Sequence, residues 1–176
     1  MNAEEIIQDL AVKIYEKPLS QIRNEPEFPN LDSPLHLVVL LLDCDTEISM
    51  NGILGFLENL TGRHLGKTVE ALERIGAPKS ADLFRAVQSC MRKHGVTYPG
   101  LRRDFEEVAE YEITSFHQLH GESLEIFSKE ICQTVGRFEL FNKDSALEDV
   151  FESLQRYAQQ RSNLLQKEIQ ERKSAR

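Results

Sequence analysis

Leu65, Val69, Leu72 and Ile75 recur at helical spacing on one face, and the run stops at Gly76 with Pro78 just beyond. Apolar residues three and four apart build the buried stripe of an amphipathic helix, and glycine readily takes the left-handed conformation that ends one. The plan returns over residues 80–94, with Leu83, Phe84, Val87 and Met91 inside and Gly95 closing the run. This punctuation commits the middle of the chain to α-helix.

The rest of the chain follows the same grammar. Ile7, Leu10, Ala11 and Ile14 predict a helix over 3–16, halted by Pro18. Pro26 and Pro29 mark a loop. Ser33-Pro34 supplies an N-cap and a first-turn proline for an apolar helix over about 35–43. Its run Leu37 to Leu42 reads as a buried central helix, with a buried strand as the alternative. A segment over 48–60, interrupted at Asn51-Gly52, precedes Gly62. Further helices are expected over 101–112 and 123–135, with Phe138 to Phe141 a short apolar connector. Ser145-Ala-Leu-Glu148 has the form of a capping box. It would start a helix running to Arg172, about 40 Å at 1.5 Å per residue. The expectation is a single all-α domain of seven or eight helices with a long C-terminal helix.

Composition agrees. Gly and Pro total only 15 of 176 residues and Trp is absent, while 40% of residues are hydrophobic. No run approaches the roughly 18 apolar residues of a membrane span. The acidic start Met-Asn-Ala-Glu-Glu does not resemble a secretory signal. Cys44, Cys90 and Cys132 form no close pair and read as free, core-type thiols of a reducing compartment. A cytoplasmic protein with no membrane partner is expected.

The net charge of −8 argues against direct nucleic-acid binding, since phosphates would be repelled. Arg161 to Arg176 carries five basic groups against two acids, which leaves −11 on residues 1–160. The division expected is therefore an acidic body, 1–160, and a basic end of the C-terminal helix, 161–176, that is free to fray.

Two patterns invite a catalytic reading. Gly62-Arg-His-Leu-Gly66-Lys67-Thr68 resembles a phosphate-binding loop, but only three residues separate the glycines and no strand leads in. Lys67 and Thr68 are expected to begin an ordinary helix. His117 and His120, with Glu122 nearby, have the spacing of a metal pair on one helical face, but lack a third well-spaced ligand. Paired surface histidines are the simpler reading. A nucleotide- or metal-dependent enzyme is thus the alternative rather than the leading reading; no catalytic residue, metal or cofactor is assigned.

The acids form two arcs. Glu106, Glu107 and Glu110, with Asp104 at the margin, share one side of the helix over 101–112, opposite Leu101, Phe105, Val108 and Ala109. Glu148, Asp149 and Glu152 share the polar side of the last helix. Such arcs are either plain solvated faces or recognition surfaces for a basic partner.

Asp45 to about Cys90 resembles the DNA-mimic protein (DMP-type) family, a bacterial domain-of-unknown-function family. Its pattern is an acid followed by Asn-Asn-Gly-Gly-Phe, then aromatic residues, Asn and Gly, and a helix ending Ile-Gly-Ala. Glu47 matches the leading acid, Gly52 the second glycine, Phe56 an aromatic position, and Asn59 and Gly62 the Asn and Gly. Ile75-Gly76-Ala77 matches the helix end. Ser49, Met50, Asn51 and Ile53 depart from the pattern. The resemblance implies a non-enzymatic protein-binding module, with carboxylates standing in for DNA phosphates before a basic or DNA-binding protein; an immunity-type, toxin-neutralising role is the other binding alternative. Finally, Leu164, Leu165 and Ile169 continue the apolar stripe of the last helix. On a helix outrunning the body they would be exposed, and a homodimer would cover them.

Overall fold

The computed structural model describes residues 3–107, 115–136, 138–142, 144 and 147–174. The described residues form nine α-helices and three short 3-10 turns, with no strand. The all-α expectation holds.

The molecule is organised around α2, Pro34–Glu58. Ser33 caps it, its side chain accepting from the His36 amide, and Pro34 fills the first turn. Every residue from Pro34 to Cys44 is buried. The Leu37 to Leu42 run is therefore helical and buried all round, the state expected of a helix with no polar face. Around α2 pack α1 (Ala3–Lys13), α3 (Leu65–Ile75), α5 (Tyr98–Glu106), α7 (Glu125–Val135), α8 (Val150–Gln160) and α9 (Ser162–Ser174). The fourth helix, α4 (Pro78–Lys93), packs on α3 and α7, and α6 (Phe116–His120) lies against α5. Phe56, Phe84 and Phe138 stack edge-on through the core, with centroids 5.9 and 6.0 Å apart. Each such ring contributes on the order of 2–3 kcal/mol by leaving water. The connector residues Phe138 and Leu140 are thus core residues.

Three features differ from the sequence reading. First, the helix expected over about 35–43 runs on to the interruption at Asn51-Gly52, where Gly52 leaves helical geometry (φ 67°, ψ −176°) and kinks α2 into two helical segments. Secondly, α1 ends at Lys13 rather than at 16, and α5 starts at Tyr98, before the expected 101, and ends at Glu106; residues 108–112 of the expected helix lie outside the described residues. Thirdly, the long C-terminal helix is broken. Arg161 takes φ −118°, ψ 17°, its guanidinium lying over the Tyr157 ring at 4.4 Å. The break turns α9 back onto α2, and Leu165 becomes fully buried. A straight helix would have held it in water. The basic end is accordingly helical and docked as far as Ser174, Arg172 pairing with Glu25 at 2.8 Å. Ser145, proposed as the cap, lies outside the described residues; Asp149 caps α8 instead.

Candidate binding surface at the α5–α6 corner

Thr97 opens α5 by accepting from the Gly100 amide at 3.3 Å, and Leu101 anchors the helix in the core. A capping box between Ser115 and Gln118 starts α6. These two short helices bring Asp104 and His120 together. His120 Nδ1 meets Asp104 Oδ2 at 2.8 Å, and its Nε2 meets Glu58 Oε1 at 2.7 Å, at the end of α2. The imidazole side chain is wholly buried and lies 4.4 Å from the Phe116 ring. Burial pushes the Glu58 carboxyl up from its usual range, while the hydrogen bond and charge of His120 pull it back. A ring with a carboxylate on each nitrogen and no solvent access is a clamp, not a proton shuttle. It fixes the ends of α2, α5 and α6 to one another.

Outside the clamp the remaining acids face water. Glu106 takes its Arg102 partner at 2.8 Å, and Glu107, the C-cap residue, is exposed. Both stand at the negative end of the α5 dipole, where a carboxylate is disfavoured by a few tenths of a kcal/mol to about 1 kcal/mol. Phe105, expected to be buried, is 40% exposed beneath the Arg102 guanidinium at 4.7 Å. Glu110 lies outside the described residues. Glu122, which follows α6, is exposed. The predicted arc therefore splits: Asp104 is turned inward, and Glu106 and Glu107 outward.

The second arc is used differently. Glu148 Oε1 accepts from the Ser80 amide at 2.8 Å, satisfying a free N–H in the first turn of α4. Asp149 accepts from the Glu152 amide at 2.8 Å, capping α8. Of this arc, only Glu152 remains exposed. Glu168 acts likewise on α2, accepting from Ser33 Oγ and the Leu35 amide, each at 3.0 Å.

The residues of the signature block assemble around the bend in α2. Glu47 Oε2 accepts from Asn51 at 3.0 Å and from Asn59 at 2.5 Å, which ties the two sides of Gly52 together. Phe56 is fully buried. A Cβ at Gly62 would sit 2.5 Å from the Phe56 carbonyl oxygen and 2.7 Å from that of Leu57, so only glycine fits there. This block builds the bend.

The segment resembling a phosphate loop is the 3-10 turn Leu60–His64 running into α3. Lys67 pairs with Glu70, and the Thr68 hydroxyl donates to the His64 carbonyl. Its backbone is already helical and offers no curl of amides. His117 and His120 do not form a pair: His117 is exposed near Glu125, while His120 is the buried clamp. That corrects both the metal pair and the paired-surface reading. Of the stripe residues, Leu165 is buried within its own chain, Ile169 packs partly against the core, and Leu164 is 44% exposed.

A cavity of about 180 Å³ lies between α2 and the 3-10 turns at Leu19–Asn24 and Leu60–His64, lined in part by Arg23, Asp43, Arg63 and His64. Its one acid, Asp43, is already paired. Arg23 grips both oxygens of Asp43, at 2.7 and 2.5 Å, and donates to the Ile14 carbonyl at 2.6 Å. Arg63 donates to His64 Nε2 at 2.7 Å, and burial followed by the Arg63 charge holds His64 down to about 4. The Arg23–Asp43 pair is an ionic pin between the Leu19–Asn24 turn and α2, tied to the residue just past α1 through the Ile14 carbonyl.

A family model described as DMP19-like protein matches residues 29–161. The chain belongs to the DMP19-like protein family. The match spans α2 to α8, so it contains the bend, the clamp and both acidic arcs of this DMP19-like chain. Searches of curated proteins and of solved structures returned no match. The family resemblance drawn from the signature block is thereby confirmed.

Sequence reasoning missed His120 as a clamp, Glu168 as a cap, and a group formed by Cys90, His94 and Glu130. The Ser115–Gln118 box could have placed α6, but nothing in sequence pairs its last residue with Glu58. Cys132, grouped with the core thiols, is exposed, whereas Cys44 and Cys90 are buried.

Proposed function

We propose that this DMP19-like protein is a non-enzymatic binding protein that presents the carboxylates at the end of α5 to a basic partner, a DNA-binding protein whose DNA site they occupy. The observation that carries the reading is the position of Glu106 and Glu107 at the helix end where they bring no dipole stabilisation. Several acids that serve the fold place their carboxylates on the free amides of a helix start, Asp149 on α8, Glu148 on α4 and Glu168 on α2. Many basic side chains are neutralised internally, among them Arg23, Arg74, Arg85, Lys93 and Arg172. Each such pair also neutralises one acid, so the net charge of −8 is left to the rest of the chain. A surface of this sign repels nucleic acid and steers basic proteins into encounter.

The test uses the immobilised chain to capture partners, followed by fluorescence anisotropy of the captured protein on its own DNA. Added chain should displace the DNA, and Glu106→Gln with Glu107→Gln should slow association about threefold to tenfold. Recovery of no DNA-binding partner, or equal displacement by the neutralised variant, overturns the reading.

A further inference from the structure

Cys90 and His94 stand one turn apart on α4, so both side chains leave the same face of that helix. Glu130 reaches the same point from α7, which packs directly on α4. One ligand atom from each of the three lies within 4.8 Å of the other two, and this is the one such group among the described residues. His94 Nε2 is 2.9 Å from Glu130 Oε2. The Phe127 ring meets the imidazole edge-on at 5.9 Å and closes the inner side. Cys90 is 5% exposed, while the His94 and Glu130 side chains are 19% and 33% exposed, so the group is rooted in the core and open on one side.

We infer that Cys90, His94 and Glu130 form a binding site for a zinc-class divalent cation, independent of the partner surface on α5. One thiolate, one imidazole nitrogen and one carboxylate are a borderline donor set that suits Zn²⁺ and Co²⁺ and is poorly matched to Mg²⁺ or Ca²⁺. Tetrahedral bonds near 2.1 Å set nitrogen and oxygen ligands about 3.4 Å apart. The His94–Glu130 contact would need to open by only a few tenths of an ångström, within rotamer adjustment. Binding removes the Cys90 thiol proton to solvent, while His94 donates a ring lone pair and Glu130 a carboxylate oxygen. The fourth position faces outward and would hold water. Lys93 is the opposing element, its ammonium lying 2.8 and 2.7 Å from the two Glu130 oxygens. It competes with the cation for that carboxylate and sets the affinity below that of a closed structural site.

The experiment is Co²⁺ titration of the full, reduced chain, followed by absorption and then by competition with Zn²⁺. The expected result is one equivalent bound, with tetrahedral d–d bands and a sulfur-to-cobalt charge-transfer band that Zn²⁺ abolishes. Cys90→Ser should remove the charge-transfer band, and Cys132→Ser should leave it intact. Glu130→Gln, which keeps the size of a partly exposed side chain while weakening its contacts to Lys93 and His94, should weaken binding at least tenfold, while Lys93→Gln should strengthen it severalfold. Circular dichroism on each variant separates lost binding from lost fold. Absence of the charge-transfer band at millimolar cobalt in the wild-type chain overturns the assignment, as does a band that follows Cys132.

Discussion

The end of α5 and the start of α8 carry similar sequence arcs, three or four acids on one side of a helix, and the fold puts them to opposite use. At α8, Glu148 and Asp149 are engaged by backbone amides, one on a neighbouring helix and one on its own. At α5, Asp104 alone of the described acids is drawn inward, and Glu106 and Glu107 are left at the negative pole of the helix. The difference is positional. A helix start has free N–H groups that reward a carboxylate, and a helix end has carbonyls that repel one. An acidic arc therefore says nothing about recognition until its place along the helix is known.

The comparison breaks most readily at His120, which separates the inward acid from the outward pair. His120→Ala leaves the Glu58 and Asp104 carboxyls without the ring that each contacts and opens a cavity beside Phe116, and should cost about 3 kcal/mol in urea denaturation. A loss under about 1 kcal/mol would mean the clamp does not hold the corner.

Comparing the two regions across pH requires removing a larger background, His64. Its pKa, about 4 against 6.5 in an unfolded chain, means that the unfolded state binds the proton the fold refuses. Its contribution is intact above pH 6.5 and is lost as pH falls toward 4. His64→Gln should flatten that interval by about 1–2 kcal/mol, allowing for solvent screening of a partly buried ring. An unchanged pH profile would remove His64 from the account.

Asp149→Ala should lower stability by about 1 kcal/mol through the lost cap on α8. Glu106→Gln and Glu107→Gln should do the reverse, leaving thermal stability unchanged or raising it by a few tenths of a kcal/mol each. Equal losses at both places would erase the distinction between structural and outward acids.

Local pattern carried much of the architecture. Gly76 takes φ 81° as the end of α3, Ser33-Pro34 opens α2, and the stripes of α3 and α4 are buried as their spacing requires. Each depends on residues within a turn or two, so the sequence by itself determined them. The run Leu37 to Leu42, with no polar face to offer solvent, marked a buried element but left a strand open as the alternative, which the structure resolves as helix.

Only the tertiary structure decided the rest. Whether His120 faced water depended on Glu58, 62 positions away, and the role of Glu148 on an amide 68 positions away. The break at Arg161 was settled by the burial it allows Leu165, outweighing the helical pattern that runs through it. Cys90 and His94 advertise their spacing, but Glu130 reaches them only because α7 packs on α4. Helices are selected by near neighbours, whereas a polar side chain takes its partner from whatever the packed core brings within about 3 Å.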